Sequence, residues 1–159
     1  MKKFLTWALL PGLLLSLTGC KTPQTSSFQS QEITCLGVEL DGSQTVRVTG
    51  TGRNKADAIE QAKKNAVWAV VFQGIRGGMQ GCDVRPLVNE ANARDKYEEY
   101  WNIFFMDNGE YLKYVSSEDK KNRSNDKAKN KYSANYTTTV RVLRSELRAR
   151  LRADNILKQ

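Results

Sequence analysis

Histidine is absent from this chain of 159 residues, and cysteine and proline each occur only three times. Without histidine there is no imidazole to activate a nucleophile, to act as a general base near neutral pH or to ligate a metal. The length is that of about one domain, which excludes a multidomain enzyme. These absences favour a binding or assembly role without cofactor or metal over catalysis.

The chain also lacks an apolar run long enough to span a bilayer, which takes about 20 residues. Its apolar N-terminal stretch, Phe4 to Leu17, has 14 residues, is interrupted by Pro11 and follows Lys2 and Lys3. A charged start, a short apolar segment and small residues at its end are typical of a secretory signal. We therefore predict a signal peptide over residues 1–19.

The end of this segment, Leu17-Thr18-Gly19-Cys20, resembles the lipobox of bacterial lipoproteins. The resemblance implies cleavage after Gly19, lipidation of Cys20 and acylation of the new amino terminus. Several acyl chains hold a protein on a membrane, whereas a single chain binds only marginally. Lys21, a residue other than Asp after the cysteine, resembles an outer-membrane sorting signal. The alternative is an ordinary secretory signal in which Cys20 is incidental.

Charge is distributed unevenly along the chain. The net charge is +8, and removal of residues 1–19 leaves +6. Residues 20–112 carry a net charge of −2, and residues 113–159 carry +8. Lys120, Lys121 and Arg123 lie in a polar, basic stretch, residues 116–130, that is either solvated or in contact with anionic headgroups or surface polymer. Nucleic acid is not expected for an exported protein whose basic stretch lacks interleaved aromatic residues.

The first part of the folded chain is predicted to be a hairpin. Residues 20–31 are a polar tether after the lipidated cysteine, and a single domain is predicted over residues 32–159. Ile33–Leu40 and Thr45–Gly50 are β-type runs, and Asp41-Gly42 supplies residues that tolerate a tight turn. The alternative is one long strand with a bulge at Gly42.

Two helices are predicted next. The first runs from Lys55 to about Gln73 with Asn54 as its N-cap, and its alanines allow close approach to a sheet. A glycine-rich loop follows over residues 74–87. The second helix is predicted from Val88 to about Phe105, with an aromatic stripe that we assign to the core.

The remaining elements are a strand over Glu110–Val115, a strand over Lys131–Val142 that pairs with it, and a helix from Leu143. The order is β-β-α-loop-α-β-β-α, which predicts the α+β class, with an antiparallel sheet of about four strands and helices on one face.

The last helix carries a leucine stripe (Leu143, Leu147, Leu151) and an arginine stripe one position on (Arg144, Arg148, Arg152). Burial of the leucines leaves the arginines near the edge of the contact, where they repel one another. Two sources of compensating charge are open. One is the acidic second helix (Glu90, Asp95, Glu98, Glu99), and the other is an anionic partner such as another envelope protein or a surface polymer.

One family pattern is similar to parts of this chain. V-x-V-x-G-x-G over Val46–Gly52, A-x-x-x-A-x-x-x-A through Ala66 and L-x-x-x-L-x-x-x-x-I over Leu147–Ile156 resemble the N-terminal domain of flagellar assembly protein T and related small lipoproteins. The long glycine loop and the aromatic second helix depart from that pattern. The resemblance implies a structural or assembly role and no catalytic residues to transfer.

Candidate chemistry is sparse. Gly50, Gly52 and Lys55 at a strand-to-helix junction are compatible with an anion site or with a simple turn. Glu98 and Glu99 point about 100° apart on a helix and cannot flank one glycosidic bond, so an envelope hydrolase with carboxylates in a pocket is only the alternative function. Cys35 and Cys82 either form a disulfide or are two small buried residues.

Overall fold

A computed structural model describes residues 33–79, 81–117, 127–129 and 134–158. The predicted signal peptide, Cys20 and the tether lie outside the described residues, as do Lys120, Lys121 and Arg123. Lipidation of Cys20 therefore stays a prediction. No helix within the described ranges is long and apolar enough to cross a membrane.

The sheet is built on a hairpin and one long partner strand. β1 (Thr34–Val38) and β2 (Gln44–Gly52) are antiparallel, which confirms the predicted hairpin. β2 pairs along its whole length with β6 (Ala134–Val142), also antiparallel. The outer edge of β6 carries two short strands, β4 (Val115–Ser117) and β5 (Lys127–Lys129).

The α+β class is confirmed, but the sheet is not purely antiparallel. The glycine loop contributes a two-residue strand, β3 (Gly77–Gly78), that pairs in parallel with β1 at the far edge. The prediction of about four antiparallel strands missed β3 and β5 because two- and three-residue strands show no alternation of apolar and polar residues.

The predicted first helix is confirmed in position and cap. α1 (Lys55–Trp68) begins after Asn54, whose side chain accepts a hydrogen bond from the Asp57 backbone N–H at 3.0 Å. A π-helical turn continues it over Ala69–Gln73. A Cβ placed on Gly50 would lie 1.9 Å from the Ala58 carbonyl oxygen, so α1 crosses β2 where only glycine fits.

The predicted second helix is wrong in its extent. Two short helices, α2 (Ala93–Lys96) and α3 (Glu98–Phe104), replace the continuous segment from Val88. Leu87 and Val88 instead donate backbone hydrogen bonds to the carbonyls of Val70 and Val71 in the π-helical turn. Tertiary hydrogen bonds thus hold residues 87 and 88 outside the helix.

The predicted strand over residues 110–115 is also wrong. Residues Glu110–Tyr114 form a 3₁₀ helix, and β4 begins only at Val115. Tyr111 and Tyr114 are both buried, and a spacing of three residues places them on the same face of a 3₁₀ helix. The same spacing in a strand would turn them to opposite faces, so tyrosine burial decides against the strand.

The last helix, α4 (Arg144–Ala153), ends in a Schellman motif. Asn155 adopts the left-handed conformation with φ 59°, while Asn155 and Ile156 donate backbone hydrogen bonds to the carbonyls of Arg152 and Leu151. Leu147, Leu151 and Ile156 are buried. This motif turns the chain sharply after α4 and returns residues 157 and 158 toward the helix.

The core combines the sheet face under α1 with an aromatic cluster from the helices. As predicted, the stripe of the second helical region is core, because Trp101, Phe104 and Phe105 are buried. Cys35 and Cys82 are joined by a disulfide, with their Cα atoms 6.0 Å apart. This bond attaches the glycine loop to β1. Asp83 and Arg85 of the loop in turn contact Arg144 of α4.

Candidate functional site

Arg144, the first residue of α4, is buried and paired internally. Its guanidinium contacts the Asp83 carboxylate and donates a hydrogen bond to the Arg85 carbonyl at 3.0 Å. Burial lowers the pKa of Arg144, although the Asp83 carboxylate acts in the opposite direction. Only 5% of the residue is exposed. The prediction that Arg144 contacts an anionic partner is therefore corrected, because the glycine loop covers it.

The predicted internal partners of the arginine stripe are also corrected. Glu90 accepts from Lys96 at 2.9 Å, and its pKa is lowered by that hydrogen bond. Glu98 and Glu99 are exposed on α3. The described acids that do pair with α4 arginines lie on the glycine loop, on the 3₁₀ helix and in α4's own C-cap: Asp83, Glu110 and Asp154.

Arg150 is the centre of a second internal ionic group. Its guanidinium lies 2.9 Å from Glu110 and 2.7 Å from Asp154. Asp154 also accepts a hydrogen bond from the Tyr100 hydroxyl at 2.6 Å. Burial raises the pKa of the Tyr100 hydroxyl, and Asp154 raises it further. These contacts fasten α4 to α3 and to the 3₁₀ helix.

Arg148 and Arg152 differ from Arg144 and Arg150 in exposure and in ion pairing. They are exposed on α4, and neither forms an ion pair with any residue that the structure describes. Four-residue spacing places them one turn apart on one face of the helix. The structure thus divides the arginines of α4 into an internal pair and an exposed pair.

An open depression adjoins the exposed pair. It has a volume of about 680 Å³ and is lined by Arg152, Asn155, Leu157 and Lys158. The Schellman motif creates it by turning the last residues back beside Arg152. Lys158 is 81% exposed, and its ammonium lies 3.9 Å from the nearest Glu90 oxygen. The described lining residues include no carboxylate and combine two cations with an asparagine and one half-buried leucine. We call Arg148, Arg152, Lys158 and this depression the α4 basic surface.

The glycine motif before α1 is a packing feature. Gly50 and Gly52 both face the first turns of α1, where added Cβ atoms would collide with the helix backbone. Arg53 pairs with Asp57 at 3.2 Å, and the Lys55 ammonium lies 4.8 Å from the Tyr136 ring centre. Arg53 and Lys55, the two cations that an anion site would need, thus contact Asp57 and the Tyr136 ring instead.

Several carboxylates of the described region bind internal donors. Glu60 accepts from the buried Tyr111 hydroxyl at 2.8 Å, and Asp107 accepts from the buried Lys64 ammonium at 2.9 Å. Burial, followed by the Glu60 hydrogen bond, raises the pKa of Tyr111. Among the described residues, no group of three or more histidine, cysteine or acidic side chains could hold a metal ion.

Comparison with protein-family models, with curated proteins and with solved structures finds no match to this chain. The resemblance to flagellar assembly protein T therefore rests on the quoted residues alone. Gly50 and Gly52 with Ala58 and Ala62 are explained by the close contact between α1 and β2.

Sequence reasoning identified Arg148 and Arg152 but missed the residues that complete the surface. Leu157 and Lys158 contribute only because the chain reverses after α4. A signal was present, since asparagine after a helical stripe followed by the apolar Ile156 is typical of a Schellman motif. Asp83 and Glu110, the partners of Arg144 and Arg150 on other elements, carried no comparable signal because they are distant in sequence, whereas Asp154 is only four positions after Arg150.

Proposed function

We propose that this protein is a lipid-anchored component of a bacterial cell envelope and acts as a non-catalytic binding or assembly module. Its binding surface is the α4 basic surface, and its partner is anionic. The lipobox-like sequence before Cys20 supports the anchor and an outer-membrane location. The fold supports the module, because its sheet and helices present α4 on one side of a disulfide-stabilised core.

One observation carries the binding proposal. α4 brings Arg144, Arg148, Arg150 and Arg152 together, yet acids in the described part of the chain pair with only two of them. Aligned cations one turn apart repel each other by a few tenths of a kcal/mol. A bound anion would offset that repulsion at Arg148 and Arg152. At Arg144 and Arg150 the acids of the protein itself already offset it.

The contacts of the carboxylates favour this module over the hydrolase alternative. A glycosidase needs two carboxyl groups about 5–10 Å apart across an open cleft. Glu60 and Asp107 are instead hydrogen-bonded to Tyr111 and Lys64, and the depression beside α4 is lined by cations.

Site-directed photo-crosslinking in intact cells tests the proposal. A photoreactive residue is placed at Arg148 in the full-length chain, and a matched control places it at Glu98, which is exposed on α3. We expect an adduct from position 148, to protein or to lipid, that is weakened when Arg152 is also changed to Gln, and no such adduct from position 98. Absence of an adduct at 148, or identical adducts at both positions, would refute the binding surface.

A further inference from the structure

The α4 basic surface has a shape that indicates the chemistry of its partner. Arg148 and Arg152 are four positions apart on the helix, which corresponds to about 6 Å along its axis. Arg152 neighbours both of the other cations, because Arg148 lies one turn before it and Lys158 lines the same depression. We call these three cations the row. This row is the starting point for an inference that rests on the proposed binding function.

We infer that the α4 basic surface binds the phosphate-bearing headgroups of an anionic lipid bilayer. The charge is complementary, because the described lining residues include two cations and no carboxylate, and the Glu90 carboxylate lies 3.9 Å from only one of those cations, Lys158. Glu146 is the acid within α4, and it is exposed. It is two positions from Arg148, which places it about 200° around the helix from that residue. It therefore projects away from the row of cations.

The side chains of the row are suited to a fluid layer of headgroups rather than to one discrete anion. A site for a single phosphate uses donors that the protein holds in place, commonly backbone N–H groups at a helix N-terminus. Here Arg152 and Lys158 lie at and beyond the C-terminal end of α4, where the backbone dipole is negative, so the side-chain cations must supply the attraction. Arg148, Arg152 and Lys158 are long and exposed.

The depression adds an apolar side chain and an open volume to the α4 basic surface. Its volume of about 680 Å³ is open to solvent, and Leu157 forms part of the lining beside Lys158. Lysine and arginine place their methylene groups against apolar surface while their charges reach the headgroup layer. The predicted anchor at Cys20 and its tether would keep this surface close to a bilayer and raise its effective concentration there.

Vesicle binding of the mature chain, residues 20–159 with Cys20→Ser, tests the inference without any contribution from acyl chains. Vesicles of phosphatidylcholine are compared with vesicles that also contain phosphatidylglycerol, at low ionic strength. We expect binding only to the anionic vesicles. We expect Arg148→Gln/Arg152→Gln to lower the partition coefficient about 30-fold, from about 1 kcal/mol for each cation near a charged surface.

A charge-matched control removes two cations elsewhere. Arg53 and Lys55 follow the end of β2 that pairs with Ala134, whereas α4 begins beside the opposite end of β6. Arg53→Gln/Lys55→Gln should leave vesicle binding within about threefold of the parent chain if the row on α4 is responsible. Equal losses in the two double variants would overturn the inference, because net charge alone would then explain binding.

Two further outcomes separate lipid from other sources of anion. Displacement of the protein from vesicles by soluble glycerol phosphate at low concentration would overturn the inference in favour of a discrete anion site. A protein adduct at position 148 in cells together with no vesicle binding would also overturn it, while leaving the proposed module intact. Retention on anionic vesicles in the presence of glycerol phosphate, with loss in Arg148→Gln/Arg152→Gln, would support it.

Discussion

At the scale of single residues, Arg144 and Arg148 provide a matched pair. Arg144→Gln should lower the free energy of unfolding by about 2–3 kcal/mol, because glutamine cannot pair with Asp83 and leaves the Arg85 carbonyl without its donor. Arg148→Gln removes the same charge from an exposed position and should change the free energy by less than about 0.5 kcal/mol. Urea unfolding measures both, and equal effects would contradict the assignment of Arg144 to the interior.

Asp154 should make stability depend on acid pH. Burial acts to raise its pKa, but hydrogen bonds from Arg150 and Tyr100 outweigh burial and hold the pKa below the ordinary value of 3.8. Because the folded pKa is the lower one, the stabilisation is complete above the unfolded value and is lost as the pH falls through the folded value.

Asp154→Asn tests this dependence. The difference in unfolding free energy between the parent chain and the variant should be constant near neutral pH and should shrink below about pH 4. Urea unfolding across this range measures it. A difference that grows on acidification would show that Asp154 is not stabilised as a carboxylate.

Residue-level prediction from the sequence succeeded where spacing decides burial. Four-residue spacing correctly placed Leu147 and Leu151 in the core. Spacing could not predict that Arg144 is buried and Arg148 exposed, because both belong to the same four-residue repeat. Their difference in burial depends on the pairing of Arg144 with Asp83. That acid lies beside Arg144 because the disulfide and the Leu87–Val70 backbone hydrogen bond position the glycine loop.

At the scale of elements, the crossing of α1 over β2 depends on glycine. Gly50→Ala should destabilise the protein by about 3 kcal/mol or more, because its Cβ would lie 1.9 Å from the Ala58 carbonyl oxygen and 2.4 Å from the Ala62 nitrogen. Gly37→Ala is the control, since no atom lies within 4 Å of its added Cβ. Thermal unfolding measures both, and a tolerated Gly50→Ala would contradict the close crossing.

Elements were predictable where their signals are local. The hairpin turn at Asp41-Gly42 and the Asn54 cap have such signals, and both elements were predicted with boundaries close to those observed. The stretch from Val88 to Tyr114 was not, because its conformation depends on tertiary contacts. Val88 bonds to Val71, and the two tyrosines of the 3₁₀ helix are buried together.

At the scale of the whole molecule, the disulfide attaches the glycine loop to β1. Cys35 and Cys82 are separated by 47 positions, and closing such a loop contributes about 4 kcal/mol in the chain-entropy account of disulfides. Replacing both cysteines by alanine should lower the melting temperature accordingly. A dithiol reductant should lower that of the parent chain and leave that of the variant unchanged. Equal stability of parent and variant would refute a structural disulfide.

The charge asymmetry of the chain also has meaning only at this scale. The positive C-terminal third was evident from the sequence, but among its described cations Arg144 and Arg150 already have acidic partners. Asp83, Glu110 and Asp154 neutralise part of it inside the fold. Among the described residues beside α4, Arg148 and Arg152 have no acidic partner, and the Schellman motif brings Lys158, 3.9 Å from Glu90, to the same side.

Binding to native envelope membranes by single arginine variants of α4 tests the central claim most directly. Arg148→Gln, Arg152→Gln and Arg150→Gln each remove one charge from the same helix, in mature chain that carries no acyl group. The account predicts salt-sensitive binding that falls about fivefold in each of the first two variants and is retained in Arg150→Gln at temperatures where it is folded. Equal loss in all three, or no loss in any, would contradict it.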